Sequence, residues 1–272
     1  NIGSVINWFS DSENMLVKMI SNNRRPLIDT NKIVPDGPTI STNFGEKAQN
    51  RTYQDLLKNK FDEHNFEQLS TSTIYKVSIA GSVKKWMDDG MYRTISFSPN
   101  GEYVMISKIN KPFSYLVTYS RFPTETNIYN KDGDFVSNLQ KVPLIEELPK
   151  GFMSVRTGKR SFSWRPDKGA SLTYVTALDS GDPSKKVDFR DEVYELNYPF
   201  LGQGKFILKT INRFSGIDWG TKDMAIAYDT WWNTRNRKSY VFNPSNPNIK
   251  AKIISDRNYQ DTYSCLLYTS DA

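Results

Sequence analysis

The sequence predicts an all-β fold, a partial β-propeller of about four blades with a loop and helix insertion. Three observations carry that expectation. The 272-residue chain is rich in aromatics, with 15 Phe, 15 Tyr and 6 Trp, and such side chains suit pleated, half-buried surfaces. A unit of strand, aromatic, polar turn and strand recurs along the chain. Further hairpin signals fill the intervals, enough for about four strands per repeat. Four-stranded units that recur in this way indicate propeller blades. The competing reading is an irregular β-sandwich with coincidental turns.

The first unit is "INWFSDSENMLV", with Trp8 as its aromatic. The second, "ISFSPNGEYVMI", sets Phe97 beside Trp8, Asn100 beside Asp11 and Met105 beside Leu16. The third is "FSWRPDKGASLTYV", with Trp164 followed by the turn Arg165-Pro166-Asp167. The fourth, "IDWGTKDMAIAY", has Trp219 and a shorter turn. The turn chemistry is mechanistic: Pro presets φ, Asp and Asn bond nearby backbone, and Gly tolerates positive φ. Trp8, Phe97, Trp164 and Trp219 are therefore expected at equivalent places on their sheets, mostly buried. Between them, "NIYNKDGDFVSNL" carries an Asp132-Gly133 hairpin signal. "DEVYELNYPFLGQGKFILKT" and "SYVFNPSNPNIKAKII" read as looser hairpins.

The anchors are spaced by 89, 67 and 55 residues. The first interval is too long for one blade and marks an insertion at about 34–66, between or within blades. Pro35, Gly37, Pro38 and Gly45 make its start a loop. "RTYQDLLKN" predicts a short helix around 53–57, and "DEHNFEQL" continues that character. Insertions on rigid scaffolds often carry function. The propeller is expected to occupy 1–263 with both ends incomplete, since the chain opens at Asn1 inside a strand-like pattern. The closing "CLLYTSDA", 265–272, reads as translated adapter sequence rather than protein.

Composition narrows the chemistry. The net charge is +6, from 36 basic and 30 acidic residues. The basic residues come in short pairs such as Arg24-Arg25 and Lys84-Lys85, so no nucleic-acid partner is expected. No apolar run approaches the ~18 residues of a membrane span. The one cysteine, Cys265, allows no intrachain disulfide and no cysteine metal cluster. That suits a reducing cytoplasm and many periplasmic proteins alike. His64 is the only histidine and sits in a polar, acidic run, so it reads as a surface residue. The sequence contains no G-x-S-x-G, G-x-x-x-x-G-K or G-x-G-x-x-G. The carboxylate pairs Asp62-Glu63 and Glu146-Glu147 read as surface charge. No cofactor, metal or catalytic residue is expected within this chain.

Four stretches nevertheless resemble a known family: the one spanning 33–72, "KINKPFSYLVTYSRFPTETNIYNKDG", the one spanning 151–196, and "FSGIDWGTKDMAIAYDTWWNTRNRKSYVFNP". They resemble the N-terminal propeller of serine peptidases of the prolyl oligopeptidase family, in its glutamyl endopeptidase-like branch. The strings "RTYQDLL", "KPFSYLV" with "SRFP", and "RTGKRS" carry most of it, and the resemblance covers about 6–263. It implies a two-domain enzyme in which a propeller caps an α/β-hydrolase domain holding Ser, Asp and His. None of those three is matched here, which implies a fragment that is inactive alone and gates substrate access. The implied partners are a peptide substrate and the C-terminal catalytic domain of the same parent chain. The alternative is a non-catalytic propeller that binds a peptide, sugar or protein.

Glutamyl-type specificity implies a cation facing the substrate carboxylate, preferably Arg for its bidentate fork. Arg51, Arg121, Arg156 and Arg160 lie in the family-like strings and are the candidates. Arg156 and Arg160 lead, because "RTGKR" is a turn running directly into a strand.

Overall fold

The computed structural model describes residues 2–29, 32 and 53–261. The chain divides into two compact units, Asn1–Glu147 and Leu148–Ala272. In the first, seven strands form a meander in chain order: β1 (Ile6–Trp8), β2 (Asn14–Ile20), β3 (Ser72–Ser78), β4 (Val83–Phe97), β5 (Tyr103–Ile109), β6 (Thr124–Asn130) and β7 (Phe135–Val142). The long β4 serves two sheets. Its first half pairs β3, from Val77↔Val83 to Ser72↔Gly90, and its second half pairs β5, from Met91↔Ile109 to Phe97↔Val104. The meander is thus two four-stranded antiparallel sheets sharing one strand.

The second unit holds two more such sheets. One contains β8 (Arg160–Trp164), β9 (Ser171–Ala177), β10 (Asp191–Asn197) and β11 (Lys205–Thr210). The other contains β12 (Arg213–Thr221), β13 (Met224–Trp231), β14 (Asn236–Phe242) and β15 (Lys252–Asn258). Four consecutive four-stranded meanders are the blade-like sheets that the sequence predicts, and the fold is all-β, a partial propeller.

The repeat is visible in the register. Trp8 faces Met15, Phe97 faces Val104, Trp164 faces Leu172 and Trp219 faces Ala225. Each anchor lies at or near the end of its sheet's first strand, opposite the start of the next. The following turns match as well. Phe9, Ser98 and Arg165 donate their backbone N–H to Asn14, Tyr103 and Ser171, at 2.8–2.9 Å. Asp11 Oδ1 accepts the N–H groups of Glu13 and Asn14, and Asn100 Oδ1 accepts that of Glu102. Ser12 and Gly101 fill the same left-handed turn position, with φ of 58° and 71°.

Burial of the anchors departs from expectation. Trp8 is 51% exposed, while its neighbour Phe9 is 6% exposed and packs its ring 4.6 Å from that of Phe97. Successive strand residues point to opposite faces. Here the face carrying Phe9 joins Leu16, Ile74, Ile95 and Val104 in the core. Phe97, Trp164 and Trp219 are half-buried. In the second unit, Val175, Val193, Ile207 and Leu208 of one sheet pack on Ala225, Ala227, Tyr240 and Phe242 of the other. Each fully buried side chain of this kind contributes about 1.5–3 kcal/mol.

The insertion falls between β2 and β3, inside the first sheet. Its helix, α1, is Lys60–Ser70 rather than 53–57. Asn59 caps it by accepting from the N–H groups of Phe61 and Asp62, and Asp62 and Glu63 complement the dipole of the first turn. Asp55 has φ +57°, which interrupts any helix over 53–57. Tyr53 and Leu57 are apolar for another reason: they pack against the cluster of Met91, Ile109, Val117 and Phe122. Residues 34–52, and with them the start of the insertion, lie outside the described residues, as does 265–272.

Candidate functional site

In the second unit, antiparallel pairing gathers several charged residues at one end of the two sheets. Asp191 starts β10 opposite Ala177, the last residue of β9, and Thr210, the last of β11. Arg160 starts β8, and Arg213 starts β12 opposite Thr230. The loops between these strand ends, 148–159 and 178–190, meet over them.

The buried centre is an ion network. The Asp191 and Asp179 carboxylates are fully buried. Asp191 Oδ1 takes Arg160 Nη2 at 2.5 Å and Arg213 Nη1 at 3.1 Å, while its Oδ2 accepts the Phe214 N–H at 2.8 Å. Asp179 Oδ2 takes Arg190 Nη1 and Arg213 Nη2, both at 2.7 Å, and its Oδ1 accepts the Gly181 N–H at 2.9 Å. Arg213 Nε donates to the Met153 carbonyl at 2.8 Å, and so fixes the loop before β8. Gly181 is required where it stands: its φ is +77°, and a Cβ there would lie 1.8 Å from the Val155 carbonyl oxygen. Buried charges persist only when paired and hydrogen-bonded, and every carboxylate oxygen of this pair has a partner.

A third buried carboxylate, Asp229, sits near the end of β13 without an arginine. It accepts from the Asn212 N–H at 2.8 Å and from the Tyr240 hydroxyl at 2.5 Å. Burial, then this carboxylate, raises the Tyr240 pKa far above the ordinary phenol value.

The sequence-predicted arginines separate. Arg156 and Arg160 come together here. Arg160 is held by Asp191, and Arg156 donates to the carbonyls of Thr157, at 2.9 Å, and Lys159. Burial, then the neighbouring Arg160 charge, pushes the Arg156 pKa below its ordinary value. Arg121 belongs to the first unit, in a 3-10 turn, Tyr119–Arg121, with its guanidinium 5.6 Å from the Tyr53 ring. Arg51 lies outside the described residues.

Sequence reasoning missed Asp179, Arg190, Asp191 and Arg213, because isolated charges at strand ends look like surface. It also passed over the tryptophan pair in "TWWNTRNR". The two rings divide between inside and outside: Trp231 carries the Arg190 guanidinium at 4.0 Å, while Trp232 carries that of Arg235 at 3.8 Å. Far from these strand starts, after β8, Arg165 is 1% exposed. It pairs with Asp167 and Glu195 and lies 4.1 Å from the ring of the anchor Trp219.

The arrangement is a rigid, charge-locked base that presents loop residues, with no acid–base pair or nucleophile assembled among the described residues. Known proteins give it a context. Over 234 residues, 85% of the chain, it is 38% identical to a probable chloroplastic glutamyl endopeptidase of Oryza sativa subsp. japonica. Over 93% of the chain it is 33% identical to the protein of the same description from Arabidopsis thaliana. The chain spans about a quarter of the length of these curated relatives, 25% and 27%. The β-propeller domain of the Trilobed protease from Pyrococcus furiosus aligns with 68% of the chain, and with 49% of that protein, at 12% identity and a TM-score of 0.39. No family model matches the chain. Over most of its length, then, this propeller-like chain is similar to part of two probable chloroplastic glutamyl endopeptidases.

Proposed function

We propose that the chain is the propeller portion of a serine-type peptidase of the prolyl oligopeptidase family with glutamyl-type specificity. Hydrolysis belongs to an α/β-hydrolase domain of the parent chain. There a serine, activated by histidine, forms an acyl-enzyme that water then cleaves. The propeller controls access of the peptide and contributes contacts to it. The 38% identity over 85% of the chain supports this reading.

Within it, the substrate carboxylate meets an arginine from the set Arg51, Arg121, Arg156 and Arg160. Arg156 leads, because its described bonds go to backbone carbonyls, which a carboxylate can outcompete. Arg160, locked to Asp191, holds the loop that carries it.

The test has two arms. The coding sequence downstream of Tyr263 in the parent gene should encode G-x-S-x-G followed by Asp and His, and the product should react with a serine-directed phosphonate. A product with neither overturns the peptidase reading in favour of a non-catalytic binding module. In a full-length relative, replacing the residue equivalent to Arg156 with Ala should lower kcat/KM selectively on Glu-containing peptides. Equal losses on Glu and Gln peptides assign that arginine to the scaffold.

A further inference from the structure

The turn between β13 and β14 carries a feature that neither the core nor the ion network uses. Trp232 is 43% exposed, although Trp231 beside it is packed inward on Arg190. Phe152 is 68% exposed, and its ring lies 5.5 Å from that of Trp232, tilted by 38°. Arg235 completes the group. Its guanidinium sits 3.8 Å from the Trp232 ring centroid, and its Nη1 donates to the Trp232 carbonyl at 2.6 Å. Tyr259, 36% exposed, is tied to the same turn by its N–H to the Arg235 carbonyl at 2.9 Å.

This surface is built rather than incidental. The loop carrying Phe152 is fixed through the Met153 carbonyl, which the buried Arg213 holds at 2.8 Å. Arg235 adopts φ +55°, a left-handed conformation uncommon outside glycine and asparagine, and the turn closes with the guanidinium folded over the indole. Paired aromatics with an arginine are the side chains that dominate binding surfaces. The charge is available: no carboxylate among the described residues pairs with Arg235. The nearby Asp256, on β15, is engaged by Lys238 and by Asn236 Nδ2, the latter at 2.7 Å.

We propose that Phe152, Trp232 and Arg235 form a docking surface for an acidic peptide segment, whose carboxylate pairs with Arg235 while its apolar side chains lie on the two rings. A single unpaired cation on an aromatic platform fits one carboxylate. A polyanion such as RNA would need a run of free cations, whereas the next basic residues, Arg237 and Lys238, are engaged by the Tyr228 ring and by Asp256. A neutral sugar would leave the arginine unmatched. The surface needs no catalytic domain, so the proposal stands or falls apart from the peptidase reading.

The experiment uses the 272-residue chain and a fluorescein-labelled octapeptide of alternating Glu and Leu, read by fluorescence anisotropy. Its partner probes are the same peptide with Gln for Glu, and an oligothymidylate. The Glu peptide should bind at least about tenfold more tightly than the Gln peptide, and less tightly as NaCl rises. Arg235→Asn, chosen because Asn tolerates the left-handed backbone, and Trp232→Ala should each reduce Glu-peptide binding to the Gln level. Trp232→Phe should retain most of it. Equal binding of the two peptides overturns the proposal, as does binding indifferent to both variants. Oligothymidylate binding as tight as the Glu peptide, with the same variant losses, overturns it in favour of a nucleic-acid surface. If Trp232→Ala unfolds, Arg235→Asn decides the matter, because a preference for the Glu peptide by itself would follow equally from Arg156.

Discussion

Single residues hold the largest energies. Asp191 joins two arginines and a backbone N–H inside the second unit. Asp191→Asn removes the charge while keeping the shape, and leaves Arg160 without its counter-ion and Arg213 with Asp179 alone. Breaking a buried pair from one side costs about 3–5 kcal/mol, so a large downward shift of the urea midpoint is expected. A change under about 1 kcal/mol would mean the network is solvated. Lys18 is the reverse case, a buried cation with no carboxylate partner among the described residues. Its Nζ donates to the carbonyls of Ile2 at 2.7 Å and Tyr92 at 2.9 Å, and burial lowers its pKa to about 8. An unfolded lysine titrates near 10.4. Between those values the unfolded state binds more protons, so stability rises with pH across that window. The charge therefore costs stability at neutral pH, and the cost is relieved above 8. Thermal melts at pH 7 and 9.5 should show the parent chain gaining on Lys18→Met as pH rises, and a constant difference would contradict this. None of this was legible in the sequence. A lysine in "MLVKMI" and an aspartate in "DFRDEV" look like the polar members of ordinary alternating strands.

At the scale of elements, the sequence was informative where local chemistry decides. The strand–aromatic–turn–strand unit appears at the expected registers, because Asp11 and Asn100 make the same turn contacts to backbone. It misled where packing decides. The aromatic doublet Trp8-Phe9 gives no sign of which ring faces inward, and the core lies on the side of Phe9. The helix was misplaced for a related reason. Leucines in "TYQDLL" suggest helical periodicity, but Leu57, with Tyr53, serves a tertiary cluster, while the cap at Asn59 starts the helix seven residues later than predicted. The same cap makes a prediction. Asn59→Ala removes the acceptor for two N–H groups and should destabilise the first unit by about 1 kcal/mol, read from chemical denaturation. No change would show that α1 is held by tertiary contacts alone. Those contacts are specific: Asn65 Oδ1 accepts the Ile28 N–H, Gln68 Oε1 accepts the Arg25 N–H, and the Tyr115 hydroxyl donates to Glu63.

For the whole molecule, four blade-like sheets account for the described chain, with edges that carry apolar side chains. On β15, at the edge of the last sheet, Ile253 and Ile254 are 41% and 53% exposed, and on β1 Ile6 and Trp8 are about half exposed. An unpaired edge with apolar residues is a template for association. The chain should therefore self-associate at micromolar concentration, and Ile254→Lys should shift it toward monomer in light scattering. A monomeric parent chain would contradict this. The central claim is that such sheets belong to a peptidase that acts at acidic residues, and its most direct test is kinetic. The purified parent protein should cleave a Glu-containing peptide with kcat/KM at least about tenfold above that for its Gln counterpart, the difference one charge-assisted contact supplies. Equal rates on the two peptides, or no hydrolysis of either by a folded parent protein, would contradict the account.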